Sequence, residues 1–358
     1  MKIAMMGSWN TDSGAAVHAE LVGRAWVDMG IELDVFTFYR HSFHGTAITK
    51  KASEEEKYVT RCFTVYGVPN PQMDTRPILK KNYDIFVAQD LGMLPLGHLL
   101  DIYPEIKKHA KTVNVIHDGH LSDKPEFFKF EWDQVVCFDK RYFNFLKHGY
   151  PEGKLSIIPF PSCSYTPGDQ AQARKELGLS PDKKIALVFG GAADYSVNSA
   201  MVLDRLADKY DIQLLVVTEI EKVLEDFRHI QGKTKFEMTI IEDSPEQDIL
   251  YKYLYASDCM LYNKPSMPLV VVSSTIFQCM GAGTPILSLK SNFTDSFNNE
   301  ILEHVDYYDL EENILDVFEK GPKYQAQQKA IKIYLAEHSA TRTAEKFIDL
   351  FESLLKKK

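Results

Sequence analysis

Paired cysteines are what this sequence lacks first. Its five cysteines, Cys62, Cys137, Cys163, Cys259 and Cys279, are odd in number and never closely spaced. A disulfide framework or a structural zinc site needs paired spacing, so the pattern points to reduced thiols in a cytoplasmic compartment. Long apolar runs are also missing: no window approaches the ~18 uninterrupted apolar residues of a membrane span. The opening "MKIAMMGSWN" is too short for a signal peptide and reads as a first strand. Positive charge is in deficit, with 41 Lys and Arg against 50 Asp and Glu and a net charge of −9. That balance argues against a nucleic-acid binder and gives no support for attachment to anionic lipid. The basic clusters "KKHAK" (107–111) and "KKK" (356–358) read as solvated surface. No internal repeat and no low-complexity segment is present.

What is present is a regular alternation. The 358 residues, 45% hydrophobic and 25% charged, have the composition of a globular protein of about two domains. "KIAMMG" (2–7) precedes a helical pattern from about Gly14 to Met29, closed by Gly30, and "IELDVFTFY" (31–39) is the next strand. "YDIFVAQD" (83–90), "KTVNVIHD" (111–118), "DQVVCF" (133–138) and "KLSIIPF" (154–160) continue the series. The proline-rich "PFPSCSYTPGDQ" (159–170) reads as a linker. A second series follows: "KIALVFGG" (184–191), "IQLLVVTE" (212–219), "EMTIIEDS" (237–244), "DCMLYN" (258–263) and "TPILSL" (284–289). Such runs belong to parallel sheets covered on both faces. The expectation is an α/β protein of two doubly wound, Rossmann-like domains facing across a cleft, 1–160 and 161–338, with a last helix over roughly 340–356.

Ligands of open parallel sheets sit beyond the carboxyl ends of the strands, which directs attention to the loops there. In "VVVSSTIFQCMGAGTPILSL" (270–289) a helix begins on Ser273, Ser274 and Thr275 without a single charged residue. Those hydroxyls suit either a phosphate at a helix start or a plain helix cap, and the residues leave both readings open.

The order of these elements resembles the two-domain (GT-B fold) retaining glycosyltransferases, the group of glycogen synthases, sucrose-phosphate synthases and many bacterial mannosyltransferases. The resemblance runs through the glycine loop after the first strand, "VIHD" (115–118), "KLSIIPFP" leading into "YTPGDQAQARKELGL" (165–179), and "LYKYLYASDCMLYNKPSMPLVVVSSTIFQCMGAGTPIL" (250–287). It implies an acceptor-binding domain at 1–160, a nucleotide-sugar-binding domain at 161–338 and a helix at 339–358 that crosses back onto the first domain. It also implies transfer of a hexose, with retention, from a nucleotide diphosphate-sugar to an acceptor: a saccharide, a lipid-linked molecule or a small molecule. No cofactor is expected. No Asp-X-Asp pair occurs, which fits a fold that neutralises the diphosphate with helix termini rather than a metal.

Under this resemblance Ser13, Gly14, Gly190, Gly191, Lys264, Ser273, Ser274 and Thr275 meet the donor phosphates. Asp243, Ser244 and Gln278 meet the nucleoside, and His117 with Asp118 stands at the transferred sugar. His41, His44 and His120 are lesser candidates for the acceptor.

Two departures stand out. The family's glutamate pair corresponds here to Val270 and Gln278, and the loop "GGAADYSVN" (190–198) lacks the usual cations. Phosphate affinity and, more so, stabilisation of a departing diphosphate suffer from such losses. Two other readings follow: a catalytically weak or inactive nucleotide-binding homologue acting as a partner subunit, and a nucleotide-sugar epimerase using His117, Asp118 and Asp194.

Overall fold

The computed structural model describes residues 1–11, 13–42, 55–80 and 82–357. Contacts divide the chain into two compact units. The first comprises Met1–Pro161, Leu269–Val271 and His338–Lys358; the second comprises Ser162–Pro268 and Val272–Glu337. The division at Pro161 falls inside the proline-rich linker.

In the first unit the elements run β1 (Lys2–Met6), α1 (Gly14–Asp28), β2 (Glu32–Phe38), β3 (Val59–Phe63), α2 (Arg76–Leu79), β4 (Ile85–Gln89), α3 (Leu96–Lys107), β5 (Lys111–Val115), β6 (Gln134–Cys137), α4 (Lys140–Leu146) and β7 (Leu155–Ile157). Among the described residues they form a parallel sheet of order β3-β2-β1-β4-β5-β6-β7. The order reverses between β1 and β4, where Ile3 pairs with Ile85, so a crevice opens beyond Met6 and Gln89.

In the second unit come α5 (Gln170–Leu177), β8 (Lys184–Phe189), α6 (Ala200–Leu206), β9 (Ile212–Thr218), α7 (Glu221–Ile230), β10 (Glu237–Glu242), α8 (Gln247–Ala256), β11 (Cys259–Tyr262), α9 (Ser274–Met280), β12 (Ile286–Leu289), β13 (Leu302–His304), α10 (Tyr307–Glu319) and α11 (Pro322–His338). The described strands form a second parallel sheet, β10-β9-β8-β11-β12-β13, whose reversal lies between β8 and β11. Its inner strands β8, β9, β11 and β12 are buried on both faces; Val188, Leu214, Val216 and Leu261 meet Leu203, Phe227 and Ile314 from the helices.

The last helix, α12 (Ala340–Lys356), belongs to the first unit. It lies on α1, where Trp26 donates its indole N–H to the Ala344 carbonyl at 3.3 Å and packs against Phe347 and Phe351. All three rings are fully buried, and burying such a side chain is worth about 1.5–3 kcal/mol. Among the described residues no helix is long and apolar enough to cross a membrane.

Candidate functional site

The first unit's crevice starts at the β1–α1 loop. Ser13 caps α1: its Oγ accepts from the Ala16 amide at 3.1 Å and donates to Ser8 Oγ at 3.2 Å. Gly14 is the first helical residue. The loop is pinned by Asn10, a left-handed residue at φ 50°. The Asn10 amide donates to Glu20 at 2.7 Å, and its side chain bonds Glu56 at 3.1 Å and Arg24 at 2.8 Å.

Across the strand reversal, β4 ends in Gln89 and Asp90, and the segment after β5 carries His117 and Asp118. His117 Nε2 lies 3.0 Å from Gln89 Oε1, with the ring edge-on to Phe138 and His18 at centroid distances of 5.0 and 5.2 Å. Burial lowers the His117 pKa to about 3, so the imidazole is neutral at physiological pH. His18, on the buried face of α1, is also held well below the ordinary value, by burial first and by His117 second.

Asp90 is another left-handed residue, φ 58°, and its carboxylate accepts from the Gly92 amide at 3.1 Å. Burial first, and the Asp118 charge second, raise its pKa to about 7. Burial raises Asp118 as well, against the opposing pull of His120 and Lys124. The neutral imidazole of His117 and the carboxyl of Asp90, whose pKa is raised to about 7, can accept from and donate to hydroxyl groups. Non-glycine residues held at positive φ cluster at functional sites.

Gln89, Asp90 and His18 were absent from the sequence candidates. The available signals were Asp90 at a strand end facing the reversal, and a titratable His18 in line with Val22 and Trp26 on the apolar stripe of α1. His41 and His120 are exposed, His41 stacking on Tyr39 at 5.6 Å; His44 lies outside the described residues.

In the second unit the reversal brings the β8 loop and the β11 loop together. Gly190 turns the chain at φ 65°, open only to glycine without strain, and Gly191 follows it. The tight run over 190–199 ends at Ser199, whose Oγ accepts from the Asn263 side chain at 2.6 Å. Lys264 comes next. Its ammonium sits over the Phe293 ring at 4.4 Å, half-buried, and no carboxylate pairs with it among the described residues. Burial alone lowers its pKa. Asp194, within the run over 190–199, is partly exposed and pairs with Lys222 at 3.3 Å.

The three hydroxyls at the α9 start divide. Ser273 is buried and is the cap: its Oγ accepts from the Ile276 amide at 3.2 Å and donates to the Tyr262 hydroxyl at 2.9 Å. Ser274 and Thr275 are partly exposed, and their hydroxyls have no hydrogen-bond partner among the described residues. With seven residues, α9 is under two turns, so its dipole is small and a side-chain cation is the larger electrostatic resource. The Gln278 side-chain amide has no hydrogen-bond partner among the described residues, while its backbone carbonyl accepts from the Tyr251 hydroxyl at 2.9 Å. Asp243 and Ser244 follow β10, with Asp243 exposed. Val270 lies in the first unit, its N–H donating to the Gly119 carbonyl at 3.0 Å.

No protein-family model matches the sequence. Solved structures match the fold from end to end. A glycosyltransferase from Rickettsia africae ESF-5 shares 15% identity at a TM-score of 0.72, the match covering 100% of this chain and 99% of that one. The sucrose-phosphate synthase of Thermosynechococcus elongatus shares 13% at 0.69, covering 100% of both chains. Anabaena HepE, solved in complex with UDP-glucose, shares 12% at 0.68, covering 99% of this chain and 100% of that one. These neighbours are glycosyltransferases of the GT-B type, and the two-sheet α/β architecture described above is that fold.

Proposed function

We propose that this chain is a glycosyltransferase that moves a hexose, with retention and without a metal, from a nucleotide diphosphate-sugar to an acceptor. The observation that carries the reading is the fold, shared end to end with a protein solved with UDP-glucose. Side chains of each unit support it. In the second unit Lys264 is a half-buried cation without an anionic partner among the described residues, next in the chain to Asn263, which bonds Ser199 at the end of the loop opened by Gly190 and Gly191. A diphosphate there meets a charge-assisted contact, with Ser274 and Thr275 as neutral donors. Gln278, Asp243 and Ser244 are the nucleoside contacts. In the first unit Ser13 and Gly14 open α1 at the crevice, and His117, Asp118 and Asp90 suit sugar or acceptor hydroxyls.

Val270, apolar where the family has an acid, favours a second reading: a homologue that binds the nucleotide without transferring sugar. One experiment separates the two. Thermal unfolding is followed with UDP, GDP, ADP, CMP and dTDP at millimolar concentration and with their sugar derivatives. A ligand at 100 times its Kd stabilises by about 2.7 kcal/mol. A base-specific rise followed by hydrolysis or transfer of the matching sugar supports the enzyme. A rise with no turnover supports the binding homologue, and no rise with any nucleotide overturns both.

A further inference from the structure

We infer that Gln89 is the positioning residue of His117, fixing the imidazole as its Nε2–H tautomer so that Nδ1 is the nitrogen left to accept a hydrogen bond from a ligand hydroxyl. Gln89 is fully buried as the last residue of β4, and its Oε1 lies 3.0 Å from His117 Nε2. An amide oxygen only accepts, so the ring nitrogen facing it carries the proton. Two aromatic rings also pack against it: Phe138 meets it at an interplanar angle of 74° and His18 at 88°. His18 is itself enclosed by Phe138, Phe160 and Phe347, and the Gln89 amide group opposes the lowering of its pKa. Packing thus holds the plane of the His117 ring, and the single amide contact sets its protonation pattern. Which nitrogen of a histidine carries the proton is decided by the partner of the other, and this determines whether the free nitrogen donates or accepts.

The consequence for ligand recognition rests on the glycosyltransferase reading; the tautomer does not. The test is therefore spectroscopic, on the full chain labelled with 15N-histidine. Two-bond 1H–15N correlations at neutral pH, with the His117 signals identified by their loss in His117→Gln, are expected to show the Nε2–H pattern. Gln89→Glu, which keeps an acceptor, is expected to preserve it and to raise the His117 pKa. Gln89→Leu is expected to give a mixed pattern. An Nδ1–H tautomer in the wild-type chain overturns the inference even where the variants fail to fold, and so does an unchanged pattern in Gln89→Leu. Where transfer is established, Gln89→Leu is expected to lower kcat at least tenfold with donor KM retained, and a wild-type kcat removes Gln89 from the mechanism. Failure of nucleotide binding alone overturns the functional reading and leaves the tautomer result standing.

Discussion

The carboxylates of Asp90 and Asp118 converge on one point of the backbone, the α-carbon of Gly92: a β-carbon there would lie 3.1 Å from Asp90 Oδ1 and 3.3 Å from Asp118 Oδ1. Asp90 is the group whose proton this arrangement holds most strongly, with its pKa moved from 3.8 to about 7. Between about pH 4 and 7 the unfolded chain has lost that proton while the native chain retains it. The native state binds more protons, so this carboxyl's contribution to stability is full below pH 4 and is lost as pH rises through 7. Asp90→Asn is expected to remove that slope and to be at least as stable as wild type at pH 7.5. Denaturant unfolding across the range checks this; parallel curves for the two proteins would sink it. His120 and Lys124, which face Asp118, are unchanged in the comparison.

The division of hydroxyls at α9 gives a second prediction. Ser273→Ala removes the cap and leaves the Tyr262 hydroxyl without its partner, costing about 1 kcal/mol of stability or somewhat more. The double change Ser274→Ala with Thr275→Ala touches no side-chain hydrogen bond among the described residues and is expected to stay within about 0.5 kcal/mol of wild type. If the proposed donor site is right, nucleotide affinity falls roughly thirtyfold in the double variant, at about 1 kcal/mol per hydroxyl contact. Calorimetric titration alongside thermal unfolding separates the two effects.

Lys264→Met retains the stem that covers Phe293 and deletes the ammonium. A charge-assisted contact contributes about 1.5–3 kcal/mol, so nucleotide diphosphate binding is expected to weaken roughly ten- to hundredfold. Stability should hold or rise, because a half-buried cation without a counter-ion is costly. Equal affinity in the two proteins would place the diphosphate elsewhere.

Gly119→Ala is the most disruptive small change expected in the first unit. Its new methyl group would collide with the Val270 carbonyl and lie 3.0 Å from Leu269 Cβ. Both obstacles belong to the short segment Leu269–Val271, held there by the Val270 to Gly119 hydrogen bond and by Arg141 donating to the Val271 carbonyl at 3.1 Å. Loss of about 2 kcal/mol or more is expected, with the midpoint of thermal unfolding as readout. Protease cleavage near residue 270 should appear before global unfolding.

Much of the architecture was readable because parallel strands buried on both faces are near-continuous apolar runs. β1, β2, β4 and the second-series strands announce themselves in this way, and α12 does so through Phe347, Phe351 and Leu354 at helical spacing. β3, an edge strand carrying Arg61, breaks that pattern, and β13 is too short at three residues to display one. Within the site, the loops were legible from the strand-end rule but the roles inside them were not. Ser273 and Ser274 are the same letter, and only the backbone entering α9 decides which one caps. Asp90 reads as an ordinary turn former until its left-handed backbone and its proximity to Asp118 are known. Gln89 and His117 are separated in the chain by two elements, α3 and β5, and nothing local couples them.

The return of α12 to the first unit bears on the order in which the molecule can assemble. Trp26 is made early, yet Phe347 and Phe351, which cover it, are made only after the whole of the second unit. Throughout synthesis of the second unit the nascent chain carries α1 with an uncovered indole and a His18 pocket lacking its Phe347 wall. The second unit, whose elements all precede α12, has no such wait. Vectorial synthesis therefore favours completion of the later unit before the earlier one, and a nascent chain short of α12 displays an aromatic surface of the kind that holding chaperones bind.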